Sequence, residues 1–403
     1  MKKIVALLLA LAMVACLFVG CTGGEAEKPT EATVVTDAPT ETPDVPTEAP
    51  TDEPAPALDM RVAMVTDYGD ITDESFNQAT YEGAKEWCEE NAVDFTYYKP
   101  TGDSTAERVA AIDQAVADGY NVLLMPGYAF AGAIVETIEM YPEVYYVALD
   151  VSEFDLQDAH GTSDDFSWVY PDNLYSAVYQ EELAGYMAGV AAVKLGYEKI
   201  GYLGGMAVPA VVRYGYGFVQ GVNDAAKELD KVDAIEVKYV YGNQFFGDAD
   251  ITAYMDTWYA GGTQVVFACG GGIYTSAAEA AAKVGGKVIG VDVDQAPTID
   301  AYGEGMTVTS AMKGLAATTK ALLAKIAAGE FEGGKVETLG LVSENSAENY
   351  VQLPASTQWA DTFTEDDYNA LVAALFNGEI TVSNAIDAEP TVDITVDYQG
   401  NIK

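Results

Sequence analysis

Between Asp67 and Gln78 the chain reads DYGDITDESFNQ. Asp67, Asp70, Asp73 and Glu74 crowd together and then give way to Ser75-Phe76-Asn77-Gln78. Carboxylates at this density suit a metal, a helix start or a ligand rich in hydrogen-bond donors. With a ring and an amide beside them, catalysis and the binding of a small ligand are also possible. The stretch lacks the Asp-x-Asp-x-Asp-Gly spacing of a calcium loop. Nucleophilic catalysis finds no support elsewhere. His160, the single histidine, lies in the polar stretch DAHGTSDDFSW, and no nucleophile elbow accompanies it. Zinc would have to rely on that histidine and on Cys88 and Cys269, which read as buried free thiols on a helix and a strand. The expectation is a binding protein, not an enzyme, with no metal and no cofactor.

Phosphate-binding patterns also fail. Gly329-x4-Gly334-Lys335 continues with Val336 instead of Ser or Thr and follows a helical pattern rather than a strand, so Gly333-Gly334 reads as a helix stop. Gly215-x-Gly217-x3-Gly221 misses dinucleotide spacing by one residue and reads as a site of close helix packing. The formal net charge is −43. Beyond Asp59 the chain keeps 53 acids and 17 bases, about −36. Such a field disfavours nucleic acid, anionic membrane surfaces and polyanionic solutes such as nucleotides. A neutral, polar, flat solute suits it better.

The elements that must position these residues follow from the apolar runs. RVAMVT (61–66), NVLLMPG (121–127), VYYVALD (144–150), KIGYLGG (199–205), QVVFACG (264–270) and KVIGVD (287–292) alternate with helical patterns, the first helix spanning about 75–91. Short continuous apolar strands separated by helices predict parallel sheets covered on both faces. Residues 119–127 echo residues 262–270, and the following strands end in Asp150 and Asp292. The echo predicts two similar α/β lobes with strand ends facing a shared cleft, into which Asp67, Asp150 and Asp292 point. Acids at 70, 73 and 74 then complement the dipole of the first helix. Ser75-x-x-Gln78 reads as a capping box, in competition with Asp73 as the cap.

The N-terminal region reads as an address and a spacer. Met1-Lys2-Lys3, an apolar run from Ile4 to Gly20, and Cys21 resemble a bacterial lipoprotein signal (1–21). Phe18 stands where Leu is usual, and Cys16 is the rival lipidation site. Residues 22–58, rich in Pro, Thr and Glu, cannot bury enough apolar surface to fold and are expected to form a disordered linker. The expected location is the extracytoplasmic face of the cell membrane, held by acyl chains on Cys21.

The segments VAMVTDYGDITDESFNQATYEG, NVLLMPGYAF, YPEVYYVALD, KIGYLGGMAVPAVVRYGYGFVQGV, VIGVDVDQ and TSAMKG together resemble the BMP (basic membrane protein) family of solute-binding lipoproteins, which includes PnrA-type purine nucleoside receptors of ABC importers. The likeness covers about residues 60–385. It implies an α/β, type I periplasmic-binding-protein fold, with two doubly wound parallel-sheet lobes joined by a three-segment hinge. The expected lobes are 59–171 plus about 310–335, and 172–309 plus about 336–403. LacI-type regulators share that fold, but no DNA-binding headpiece is present here.

By position, the resemblance implies that Asp67 and Asn77 hydrogen-bond a base and that Phe76 and Tyr214 clamp it, with Tyr at 214 where Phe is common. It further implies that Asp292 accepts ribose hydroxyls, that Lys313 completes the sugar end, and that Tyr128 and Asp150 line the first lobe's side. Elementary chemistry agrees. An ionised carboxylate suits two hydroxyl donors, and an aromatic face contributes roughly 1–3 kcal/mol per stacked base. The resulting expectation is a monomeric nucleoside receptor for an ABC permease whose ATPase is a separate chain. A receptor for another small solute such as a sugar, or a surface adhesin or immunogenic lipoprotein, remain the alternatives.

Overall fold

The computed structural model describes residues 59–67 and 69–402. The expected signal segment with Cys21 and Cys16, and the expected linker (22–58), lie outside the described residues. The strands are β1 (Arg61–Val65), β2 (Asp94–Tyr98), β3 (Val122–Pro126), β4 (Tyr145–Leu149), β5 (Leu174–Tyr179), β6 (Lys199–Gly204), β7 (Glu236–Tyr241), β8 (Val265–Cys269), β9 (Lys287–Asp292), β10 (Thr307–Lys313), β11 (Lys335–Leu339), β12 (Val351–Gln352) and β13 (Thr395–Asn401). The helices are α1 (Phe76–Glu90), α2 (Thr105–Ala117), α3 (Ala131–Thr137), α4 (Glu153–His160), α5 (Glu181–Lys194), α6 (Pro209–Glu228), α7 (Ala249–Ala260), α8 (Tyr274–Ala282), α9 (Ala296–Ile299), α10 (Leu315–Ala328) and α11 (Glu365–Phe376). Among the described residues no helix is long and apolar enough to cross a membrane.

Two sheets result. The first runs β11-β5-β4-β3-β1-β2, with every pair parallel. The second runs β12-β10-β9-β8-β6-β7-β13, parallel except for the short antiparallel pair of β10 and β12. Strands β3 (VLLMP) and β8 (VVFAC) are buried along their whole length. Helices cover both faces of each sheet, so these runs have no polar side to show, and each large apolar side chain buried there contributes about 1.5–3 kcal/mol.

The expected echo is a structural repeat. Strands β3 and β8 hold the same place in their sheets, as do β4 and β9. In each sheet the strand order reverses beside the first strand of the lobe, between β1 and β3 and between β6 and β8. The carboxyl ends at such a reversal form a crevice.

The chain passes between the sheets three times, and the positions differ from those expected. The boundary expected at 171/172 falls after Tyr179, because β5 still belongs to the first sheet. The one expected near 310 falls after Lys313, because β10 completes the second sheet. The one expected at 335/336 falls after Leu339, because β11 is an edge strand of the first sheet. A strand committed to a ladder is finished before the chain leaves, so crossings fall at strand ends. The three crossings lie side by side. The Gln180 backbone N–H donates to the Leu339 carbonyl (2.9 Å), Tyr350 N–H to Gly340 O (3.0 Å), and Gly314 N–H to Tyr350 O (2.7 Å).

Helices α5 and α6 meet closely just beyond the first crossing. A Cβ on Gly217 would lie 2.0 Å from the Glu182 carbonyl oxygen, and one on Gly221 would lie 2.1 Å from that of Tyr186. The glycine pattern of α6 therefore serves packing, as its spacing predicts. Helix α10 ends earlier than expected. Gly329, at φ 71°, is its left-handed cap, and Gly333-Gly334 lie beyond it in the approach to β11.

Candidate functional site

Strand β1 ends next to Asp67, and the following loop leads into α1. Asp73 is the working cap of this helix. Its carboxylate accepts from the backbone N–H groups of Ser75, Asn77 and Gln78 (each 3.0 Å). Ser75 occupies the N-cap position without capping. Its hydroxyl donates instead to Asp292 Oδ2 at 2.6 Å, across the gap between the lobes. The capping box read from the sequence is thus replaced by an Asp73 cap, which frees Ser75 for this bridge.

Asn77 is held by its amide nitrogen, which donates to Asp67 Oδ1 and to Asp73 Oδ2 (both 3.1 Å). Its Oδ1 is buried and has no hydrogen-bond partner among the described residues, a costly state that a ligand donor would relieve. Burial pushes the Asp67 carboxyl up to about 6, against the hydrogen bonds from Gly69 and Asn77.

At the hinge end lies a buried ionic cluster. Lys313, 5% exposed, ends β10 and places its Nζ 2.5 Å from Asp150 Oδ2, 3.4 Å from Glu181 Oε1 and 3.8 Å from Asp292 Oδ1. Burial works against its charge, but the three carboxylates outweigh it and hold the ammonium well above its ordinary range. Arg213 Nε donates to Glu181 Oε2 at 2.6 Å. Burial opposes ionisation of Glu181, yet Arg213 and Lys313 keep its carboxyl below the usual range. Asp150 goes the other way. Burial pushes it to about 7 despite Lys313, and its Oδ1 is buried without a partner among the described residues. Asp150 and Asp292 both adopt left-handed backbone, at φ 61° and 64°, unusual for non-glycine residues. They end equivalent strands, so the same strained turn aims both carboxylates at the gap.

The gap is a cleft of about 700 Å³ lined from both lobes. Asp67, Phe76, Asn77, Tyr128, Asp150, Tyr214, Asp292 and Lys313 all border it. Asp67, Asn77 and Tyr128 stand at one end, and Lys313, Asp150 and Asp292 at the hinge. Phe76 bridges the two, since its ring centre lies 4.6 Å from Lys313 Nζ. Tyr214 is placed more deeply than a clamp requires. It is 2% exposed, its ring meets Phe267 edge-on, and its hydroxyl lies 3.5 Å from Asp292 Oδ1.

The second lobe presents another ring, Phe245, that the sequence reading missed. It borders the cleft from the loop after β7. A Cβ on Gly205 or Gly270 would come within 2.5 or 2.9 Å of its Cδ1, so two strand-end glycines make room for this ring. The available signal was an aromatic pair in GNQFFGD directly after an apolar strand. His160 lies outside the cleft, stacked on Trp168 with ring centres 4.7 Å apart. Cys88 and Cys269 are free and buried. Cys269 borders the cleft, and burial raises its thiol far above the usual range.

Comparisons with known proteins agree with this architecture. The model of the Bmp family, described as ABC transporter substrate-binding protein PnrA-like, matches residues 60–374. The "ABC transporter nucleoside-binding protein BmpA" of Lactococcus lactis subsp. cremoris is 28% identical over 301 residues, covering 70% of this chain and 79% of that protein. A "CD4+ T-cell-stimulating antigen" of Listeria monocytogenes is also 28% identical over 301 residues, with 70% and 78% covered. Among solved structures, an ABC transporter solute-binding protein from Aeropyrum pernix K1 superposes with TM-score 0.64 at 20% identity, covering 81% of this chain and 94% of that one. One from Conexibacter woesei gives 0.62 at 22% identity, with 81% and 99% covered. At these identities the structural likeness speaks for the fold alone.

Proposed function

Because the chain belongs to the family of PnrA-like ABC transporter substrate-binding proteins, we propose that it captures a nucleoside, with a purine base preferred, between its lobes. The observation that carries this reading is the make-up of one cleft. It has a ring from each lobe (Phe76 and Phe245), amide and carboxylate acceptors at one end, and a carboxylate–ammonium pair at the other. The base lies between the rings. Asn77 Oδ1 and Asp67 accept from its N–H groups, and Tyr128 closes that side. Asp292 accepts the ribose hydroxyls, positioned by Lys313, by Tyr214 and, through Lys313, by Asp150.

A vicinal diol offers two donors to an acceptor-only carboxylate, and hydrogen bonds to charged groups contribute about 1.5–3 kcal/mol each. A few of these with stacking, less the cost of ordering, give micromolar affinity or better, about −8 kcal/mol. The name of the Lactococcus relative supports the choice of ligand. The protein acts as a monomer outside the cytoplasmic membrane, anchored by acylated Cys21 through the linker. It delivers the solute to a permease with a separate ATPase and itself performs no chemistry.

Calorimetric titration with adenosine, guanosine, inosine, cytidine and ribose tests this. Heat from purine nucleosides and none from ribose is the expected pattern. Binding of ribose without any nucleoside would replace the reading by a sugar receptor. Silence towards all five would leave the cleft without its proposed guest.

A further inference from the structure

Among the described residues, the Asp67–Asn77 end of the cleft lies beside further open space. A second cavity of about 1120 Å³ adjoins it there and shares Gly69, Asp73 and Phe245 with it. Asp73 also receives the Asn77 amide, so the two cavities meet at the end assigned to the base. Lys313, Asp150 and Asp292 border the inner cleft and not the outer cavity. The sugar end is therefore enclosed by the hinge, whereas a group on the base edge faces outward.

The outer cavity has a preformed aromatic wall. Phe246, 60% exposed, and Tyr274 border it from the second lobe. The loop carrying Phe246 is pinned by its backbone. It pairs with Gly272 in a parallel bridge, Gly272 N–H donates to Phe245 O (2.9 Å), and Asn243 N–H donates to Gly205 O (3.0 Å). A large ring held open to solvent on a fixed loop is an unused stacking surface.

From the first lobe the lining groups are mainly acidic. Asp70, Asp73 and Asp103 face one ammonium, Lys99. Lys99 is paired with Asp70 at 2.5 Å, and Asp103 with Arg108. Among the described residues of the lining, the Lys99 ammonium is already paired, and the acidic body repels an anion further.

Resting on the nucleoside reading, we propose that this outer cavity is a subsite for a substituent on the exocyclic nitrogen of the base. It accepts neutral or cationic arene- or alkyl-bearing groups and refuses carboxylated ones. Monosubstitution keeps one N–H on that nitrogen, so the donor that Asn77 Oδ1 or Asp67 requires survives. The substituent passes beside Gly69, Asp73 and Phe245, which border both cavities, and stacks on Phe246. The protein then collects base-modified nucleosides as well as plain ones, as nuclease and phosphatase reactions acting on modified RNA would supply.

Titration of the full-length protein with adenosine, N6-benzyladenosine and N6-succinyladenosine tests this. Adenosine and the benzyl compound are expected to bind within about tenfold of each other, and the succinyl compound at least tenfold more weakly than the benzyl one. Phe246→Ala should weaken the benzyl compound about tenfold and leave adenosine unchanged. If adenosine binds and the benzyl compound is a hundredfold weaker, the subsite is overturned while the nucleoside reading stands. Equal losses for both ligands in Phe246→Ala would assign that ring to the inner cleft instead. Succinyl binding as tight as benzyl binding would overturn the charge selection. Absence of adenosine binding would remove the nucleoside reading and this subsite with it.

Discussion

Asp73 and Ser75 divide the work that a single cap residue does in most helices. Because Asp73 satisfies three backbone donors of α1, the Ser75 hydroxyl is free to reach Asp292. The first turn is thereby fixed from within its own lobe, and Phe76 and Asn77 are aimed before any ligand arrives. Asp292→Asn removes the charge and turns one of the two acceptor oxygens proposed for the ribose into a donor, with little change of volume. It should weaken adenosine binding at least tenfold while the unliganded melting temperature stays within a few degrees; unchanged affinity would cancel the assignment.

The buried carboxyls also set a pH response. Asp67 at about 6 and Asp150 at about 7 stand above the 3.8 of an unstrained aspartate. In this range the folded form binds more protons than the unfolded chain, so their contribution to stability is lost as pH rises through about 6–7. The melting temperature of the unliganded protein should therefore climb between pH 8 and pH 5. Asp150→Asn should flatten that climb in differential scanning calorimetry.

Strand ends and helix starts supply nearly every group in the cleft, and the repeat makes them in pairs. Gly127 and Gly270 follow β3 and β8 at φ 129° and 137°, and Asp150 and Asp292 close the next strands in left-handed turns. This pairing was legible in the sequence because a strand's apolar run and the residue that ends it are local features. The α5–α6 contact was legible only as a glycine pattern, since the partner surface belongs to another helix. That contact supports the cluster, because Glu181 opens α5 and Arg213 and Tyr214 lie on α6. Gly217→Ala would press a methyl group into the Glu182 backbone. It should cost about 1–3 kcal/mol, read as a lower urea midpoint with an unchanged slope.

Closure of the whole molecule uses few direct bonds between the lobes. Besides Ser75–Asp292 and Lys313–Asp150, Gln295 Nε2 donates to Glu74 O at 2.8 Å and Thr298 Oγ1 to Glu74 Oε2 at 3.4 Å, while Gln295 Oε1 accepts from Val291 N–H. Gln295 is not among the residues that border the cleft. Gln295→Glu keeps the acceptor and removes the donor that spans the lobes. A ligand shifts a closure equilibrium only by its differential affinity for the two states, so weakening the closed state should speed release. Stopped-flow measurement is expected to show nucleoside dissociation faster by about tenfold, with the association rate little changed. An unchanged dissociation rate would show that this bond does not govern closure.

The α/β class, the repeat, the orientation of the strand ends and the residues of the first helical turn follow from the sequence by itself. Apolar periodicity and chain punctuation act over a few residues, and parallel strands buried on both faces have few ways to pack. Other features needed the tertiary structure. Ser75 meets Asp292 across 217 positions, the hinge crossings depend on which sheet completes each strand, and Phe245 enters the cleft only because Gly205 and Gly270 leave it room. Each of these depends on groups distant in sequence sharing one small volume, and that is decided when the two lobes pack.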